Sequence, residues 1–246
     1  HGVNGPSENM MALGWKVDGT TGASNTDGDV TSTISVNDTA GISYGTFTTS
    51  ASAATAFTIG HGQSAAPEMI IAKSVSTVGS YFTYHTALGA TKYFQLDINT
   101  APTTATLWND TAPTSSVFTL HTTHTGTSVA YWFMAIRSIA GFSKIGSYTG
   151  NGSTDGPFVP LDFRPAFFFA RNISRRAGNA IHDAARDPYN VMGNDLVTDT
   201  DAAENTELLN SDELDFLSNG VKLRDTALTL NESGVTIAYW AIAEAP

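Results

Sequence analysis

A chain of 246 residues that is 41% hydrophobic has enough apolar surface to build one large β domain or two small ones. Its formal net charge of −11 argues against duplex nucleic acid and against an anionic membrane surface, and with no cysteine it has neither a disulfide framework nor thiol chemistry. Charged residues make up only 14%, against about 25% in an average soluble domain. Gly, Ser, Thr, Asn and Ala take their place, the composition of strands joined by many turns.

Period-two and short apolar runs follow one another along the chain. "VTSTISV" (30–36), "AFTI" (56–59), "EMIIAK" (68–73), "YFTYH" (81–85), "KYFQLDI" (92–98), "SVFTL" (116–120) and "SVAYWFMAI" (128–136) predict strands bounded by turn residues. After the glycine- and proline-rich stretch 141–165 come "AFFFAR" (166–171), "NAIHDA" (179–184), "GVKLR" (220–224) and "VTIAYWAIA" (235–243). "TDAAENTELLN" (200–210) is the one helix-leaning piece. Apolar runs such as Ala166 to Ala170 are far short of a membrane span.

The two strand lists match in order. "SVAYWFMAI" and "VTIAYWAIA" share Ala-Tyr-Trp at 130–132 and 238–240, "GISYGTF" (41–47) answers "GFSKIGSY" (141–148), and "APEMIIAK" (66–73) answers "RPAFFFAR" (164–171). "YHTAL" (84–88) likewise answers "IHDAA" (181–185). The pattern predicts an all-β protein of two tandem β-sandwich units, of jelly-roll or lectin-like type, spanning 1–140 and 141–246. The stretch 141–165 is then a seam between copies. It has neither the Gly-Lys-Ser/Thr ending nor the following long helix of a phosphate-binding loop.

Several of these residues also carry a resemblance. In the second unit they are "GNGSTDGPFV", "FRPAF", "DPYNVM", "DFLSNGVKLR" and the closing "TIAYWAIAEAP"; in the first they are "SNTDGDVTSTISVN", "GISYGTF", "APEMIIAK" and "LWNDTAPTSSVFTL". Together they resemble a repeat of marine tailed-phage virion structural proteins, of the kind found at tail-fibre C-terminal ends. The resemblance implies a virion location, an appendage or adhesin role, homo-oligomers with trimers the usual form, and no established catalytic residues.

The chemistry-bearing residues divide into few groups. His61, His85, His121 and His124 share the first unit, but their spacings match no zinc signature, so turn and strand-face histidines are the first reading. "HTTHTGT" (121–127), with His121 and His124, is expected to face outward as a binding loop. Trp108, in the turn-rich "TLWNDTAPT", is the tryptophan expected to be exposed as a sugar-stacking platform, whereas Trp132 and Trp240, mid-strand, are expected in equivalent core positions. Arg164, Arg171, Arg175, Arg176 and Arg186 fall within 23 residues; they suggest an anion site, an inter-subunit salt bridge to the acidic run 187–215, or an ordinary hairpin surface. Glu213 and Asp215 would share a face on a strand, and retaining glycosidases place two carboxyls about 5 to 5.5 Å apart. Yet "SDELDF" (211–216) reads as a loop, so no catalytic residue is assigned. "NTDGD" (25–29) and "DTDAAEN" (199–205) offer oxygen ligands for Ca²⁺ without EF-hand spacing; solvated acidic loops and no cofactor are expected.

The expectation is therefore a non-enzymatic structural or adhesive component of a phage virion, a tail fibre or related appendage. Its partners would be other copies of itself, other virion proteins and a host surface glycan or protein. The alternatives are a carbohydrate-binding module of a secreted enzyme, a capsid-decorating protein, and, in the enzyme class, a glycosidase or depolymerase. The run "AYWFMAI" carries more apolar side chains than one sandwich face hides, which points to self-assembly.

Overall fold

The computed structural model describes Gly14, residues 16–17, 22–199 and 213–244. Trp15, the helix-leaning run 200–210 and all but the first residue of "DTDAAEN" lie outside the described residues. The chain is all-β and consists of stacked antiparallel sheets.

In the first half, strands β1 (Ala23–Asn25), β2 (Ser32–Asn37), β3 (Ile42–Thr48), β4 (Ala56–Gly60), β5 (Met69–Ser74), β6 (Phe82–His85), β7 (Lys92–Gln95), β8 (Thr103–Thr104), β9 (Val117–His121) and β10 (Ala130–Ile136) alternate with short turns. They form an eight-stranded sheet in the order β1-β2-β3-β10-β5-β6-β7-β8, with the β4-β9 pair laid against it. In the second half follow β11 (Ser143–Thr149), β12 (Phe158–Pro160), β13 (Pro165–Asn172), β14 (Asn179–Asp183), β15 (Leu196–Val197), β16 (Leu214–Leu217), β17 (Gly220–Leu223) and β18 (Thr236–Ala243). They form a five-stranded sheet, β11-β18-β13-β14-β15, covered by a small sheet, β12-β17-β16. The central order of the first sheet, β3-β10-β5-β6-β7, is thus repeated by the second.

Strand alternation explains the layers. Tyr131, Phe133 and Ala135 of β10 face the first sandwich core with Phe57, Ile59, Phe118 and Leu120. Ile237, Tyr239 and Ala241 of β18 do the same in the second sandwich, against Val221, Leu223 and Phe216. The intervening residues of both strands face a third core, between the two large sheets, where Ile42, Met69, Ile71, Phe94 and Ile136 meet Ile145, Phe167, Phe169, Ala238 and Trp240. Both faces of the central strands are therefore apolar because both are covered. Most of the apolar surplus of "AYWFMAI" is accommodated inside the chain, with Trp132 left half-buried.

The pairing register refines the repeat. Gly45 of β3 lies opposite Phe133, as Gly146 of β11 lies opposite Tyr239. Met134 stands between Tyr44 and Ile71, whereas Trp240 stands between Ile145 and Phe169. Trp240 therefore occupies the position of Met134, and the counterpart of Trp132 is Ala238. The shared Ala-Tyr-Trp is displaced by two residues between the halves, one full strand period, so the tryptophans share a face but not a place along it. Lys73 opposite Trp132 corresponds to Arg171 opposite Ala238.

The seam 141–165 holds β11, β12 and a pinned turn. Buried Asn231 accepts from the Asn151 backbone N–H at 2.8 Å and donates to the Ser153 carbonyl at 2.7 Å. Gly150 is required there: a Cβ would stand 2.1 Å from the Glu232 carbonyl oxygen.

Candidate functional site

Trp108 is not exposed. The 3-10 turn Thr106–Trp108 folds Leu107 and Trp108 under the first sandwich, where the indole is 1% exposed and meets Tyr84 and Phe118 edge-on at 5.7 and 6.4 Å. Left-handed Asn109 and Asp110 end the turn. The polar neighbours that made the segment look like surface are the turn that buries the ring.

"HTTHTGT" forms the short helix α1 (Thr122–Thr125) in place of an open loop. His121 is half-buried and its Nδ1 accepts from the Thr123 N–H at 3.2 Å, capping the helix. His124 is half-buried too, its Nε2 3.2 Å from Thr106 Oγ1, and the two imidazoles are 6.5 Å apart. His124 thereby ties α1 to the Trp108 turn.

The arginines do not form one patch. Arg164 donates to the Phe216 carbonyl at 2.6 Å and pairs with Glu244 at 3.0 Å. Arg175 pairs with Glu232 at 2.9 Å, and Arg186 pairs with Asp183. Arg171 is fully buried, donating to Asn179 at 2.6 Å and to the Thr100 carbonyl, with its guanidinium 4.9 Å from the Phe94 ring centre. Burial lowers its pKa to about 10. Burial thus removes Arg171 from any anion site or inter-subunit bridge, whereas Arg164, Arg175 and Arg186 have ion-pair partners within the chain. Arg176 alone is exposed with no ion-pair partner among the described residues.

Glu213 and Asp215 flank the start of β16, which is a strand and not the expected loop, but they do not act as a pair. Asp215 bonds Arg224 at 2.7 Å. Glu213 is fully buried and its Oε2 lies 2.5 Å from Nε2 of fully buried His182 on β14. Asp195, 1% exposed, adds a carboxyl whose two oxygens have no hydrogen-bond partner among the described residues. Burial first, then Asp225 and Asp187, raises Glu213 to about 8, while burial lowers His182 to about 4. Burial, then Glu213, raises Asp195 to about 6. At neutral pH the Glu213 carboxyl keeps its proton and donates it to His182. This is an acid–base pair without access, joining the five-stranded sheet to the small sheet. Among the described residues no group of three or more His, Asp or Glu side chains is placed to hold a metal ion. In "NTDGD", Asp29 is taken up by Thr58, accepting from its N–H at 2.9 Å and its hydroxyl at 2.8 Å.

The accessible chemistry lies elsewhere, on the first half's side of the inter-sheet face. That face is buried at Ile42, Met69 and Ile136 and opens toward Trp132. There the half-buried Trp132 stacks on Tyr44 at 5.8 Å and 23°, and Tyr44 is 43% exposed. Tyr81 stands against Trp132 at 5.9 Å and 70° as a wall. The Lys73 ammonium sits 4.2 Å from the Tyr81 ring centre and donates to the Gly79 carbonyl at 2.6 Å. Lys73, Tyr81 and Trp132, with Ser74 to Gly79, line an open groove of about 640 Å³, and Tyr44 adjoins it through its stack on Trp132. A smaller apolar cleft of about 290 Å³ lies where Ile42, Ile136, Phe142 and Trp240 meet. The mid-strand position of Trp132 predicted a core residue; its cross-strand neighbours in the structure, Thr46 and Lys73, place it instead at a wet edge, and no signal in the sequence alone gives that register.

Residues 1–246 match the family described as Domain of unknown function (DUF7483), and the chain belongs to that family. No curated protein and no solved structure matches it.

Proposed function

We propose that this chain is a non-enzymatic structural and adhesive component of a phage virion, a tail fibre or other surface appendage, and that it contacts a host-surface receptor through the open aromatic end of the eight-stranded sheet. The observation that carries the adhesive part is the Tyr44–Trp132 stack, exposed beside an unobstructed groove on a rigid double sandwich. Exposed aromatic rings supply large contact area at low entropic cost, which makes them anchors of binding surfaces. The virion setting rests on the sequence resemblance. Homo-oligomerisation does too, and it would multiply one shallow site by avidity.

The non-enzymatic part is supported by the burial of the His182–Glu213 pair, since a general acid must reach the proton it transfers. The test is to incubate the purified chain with host cells and with host polysaccharide. Adsorption that Trp132→Ala abolishes, with no new reducing ends, is the expected result. Hydrolysis abolished by Glu213→Gln would overturn it in favour of a depolymerase. The same face would serve a carbohydrate-binding module of a secreted enzyme; the neighbouring genes separate that alternative.

A further inference from the structure

Lys73 is unusual in its surroundings. Most cations of this acidic chain pair with a carboxylate: Arg137 with Asp38, Lys144 with Asp162, Lys222 with Asp155 and Arg224 with Asp215, besides the arginines described above. No such partner meets Lys73 among the described residues. Its ammonium is held between the Tyr81 ring and the Gly79 carbonyl, facing a groove whose lining contains no acid. Asp97 is the acid tied to this wall, and its Oδ1 is engaged by the Tyr81 N–H at 3.1 Å.

From these positions we infer that the groove binds a carboxylate-bearing saccharide, a uronic acid unit, with the apolar face of the sugar ring on Trp132 and its carboxylate on Lys73. The inference rests on the adhesive reading above and names the ligand class of that same face. Trp132, braced by the Tyr44 ring stacked on it at 5.8 Å and 23°, supplies the indole surface of the groove's lining. Ser74, Ser76 and Thr77 also belong to the lining, their hydroxyls held in place by local bonds: Ser74 Oγ lies 2.6 Å from Thr77 Oγ1, and Ser76 Oγ accepts from the Ala130 N–H at 3.2 Å. The groove's volume falls in the range of about 300–1,000 Å³ typical of small-ligand sites. A protein partner would need an interface of about 1,000 Å² or more, much wider than this patch. The net charge of −11 opposes an anion at long range. At physiological salt that field is screened beyond about 8 Å, so direct contact with Lys73 decides.

Calorimetry on the full chain, with tetramers of galacturonate and of mannuronate and the methyl ester of each, tests this. The expected result is that at least one acid binds and its ester binds tenfold more weakly or worse. Lys73→Met then reduces acid binding to the level of the ester and leaves the ester unchanged, and Trp132→Ala abolishes both. Tyr44→Ala, at an exposed position, weakens both and serves as the second variant should Trp132→Ala not fold. Equal binding of acid and ester, no effect of Lys73→Met, or binding of neither acid overturns the inference. Acid and ester binding that are equal and both abolished by Trp132→Ala overturn the role of Lys73 while leaving the adhesive face standing. Undiminished adsorption of Trp132→Ala to host cells removes the adhesive reading itself.

Discussion

The two halves treat one strand position in opposite ways. In the second half the position is held by Ala238 beside Arg171, and the first half covers it: Phe94 stacks on the guanidinium, and the Thr100 and Leu96 carbonyls receive Arg171 and Asn179. In the first half the same position is held by Trp132 beside Lys73, and the second half stops short of it. The sheets of a shared plan are thus packed out of step, and the overhang leaves two aromatic rings and an ammonium partly open to solvent. A buried cation became structural where it was covered; its counterpart became available chemistry where it was not.

The largest expected effect comes from exchanging the tryptophans' roles. Trp240→Ala, in the inter-sheet core at 4% exposure, is expected to destabilise by about 3–5 kcal/mol. Trp132→Ala should cost about 1 kcal/mol, the scale of one aromatic pair, in denaturant melts. Equal losses would mean that the two indoles are equivalently packed after all.

Arg171→Ala is next, at about 2–4 kcal/mol, because it leaves the Thr100 carbonyl and the Asn179 side chain without their donor. Lys73→Ala, at a half-buried position, should cost about 0.5–1 kcal/mol, the scale of one cation–π contact near the surface. A double-mutant comparison in which both cost the same would break the contrast.

The sealed pair in the second half has no counterpart in the first, and it predicts a pH signature. Glu213 is raised to about 8, so its stabilising contribution is full below its ordinary carboxyl range and is lost as pH rises through 8. His182 is lowered to about 4, so its contribution is present above the ordinary imidazole range and is lost as pH falls through 4. Between pH 5 and 8 the protein should lose stability relative to Glu213→Gln, by up to about 1.4 kcal/mol per pH unit. Parallel stability curves for the two proteins would show that Glu213 does not titrate there. The smallest effect is at Arg176, exposed and outside any ion pair among the described residues; Arg176→Ala should change stability by less than about 0.5 kcal/mol.

How much of this was legible follows from strand geometry. Alternation fixed which face each residue of "AYWFMAI" takes, and the repeated strand order could be read from the matching runs. Register could not, because a two-residue displacement preserves every face and so leaves no trace in the pattern of apolar residues. Pairing "YHTAL" with "IHDAA" by their histidines was off by one residue: Tyr84 opposes Ile70 and faces the first sandwich core, and its counterpart is His182, opposite Phe168. That slip hid the fact that His182 points into the second sandwich toward Glu213. The partners of the sealed pair are 31 residues apart, and only the packing of the small sheet on the large one brings them together. Trp108 was misjudged because turn residues signal surface backbone, and they say nothing of a side chain folded beneath it.

Oxidative labelling of the native protein, read tryptophan by tryptophan by mass spectrometry, tests most directly that the overhang leaves a binding face uncovered. Trp132 should label readily and Trp240 and Trp108 should resist, with the Trp132 signal falling when a bound uronate tetramer is present. Protection of Trp132 equal to that of Trp240 in the free protein would contradict the account.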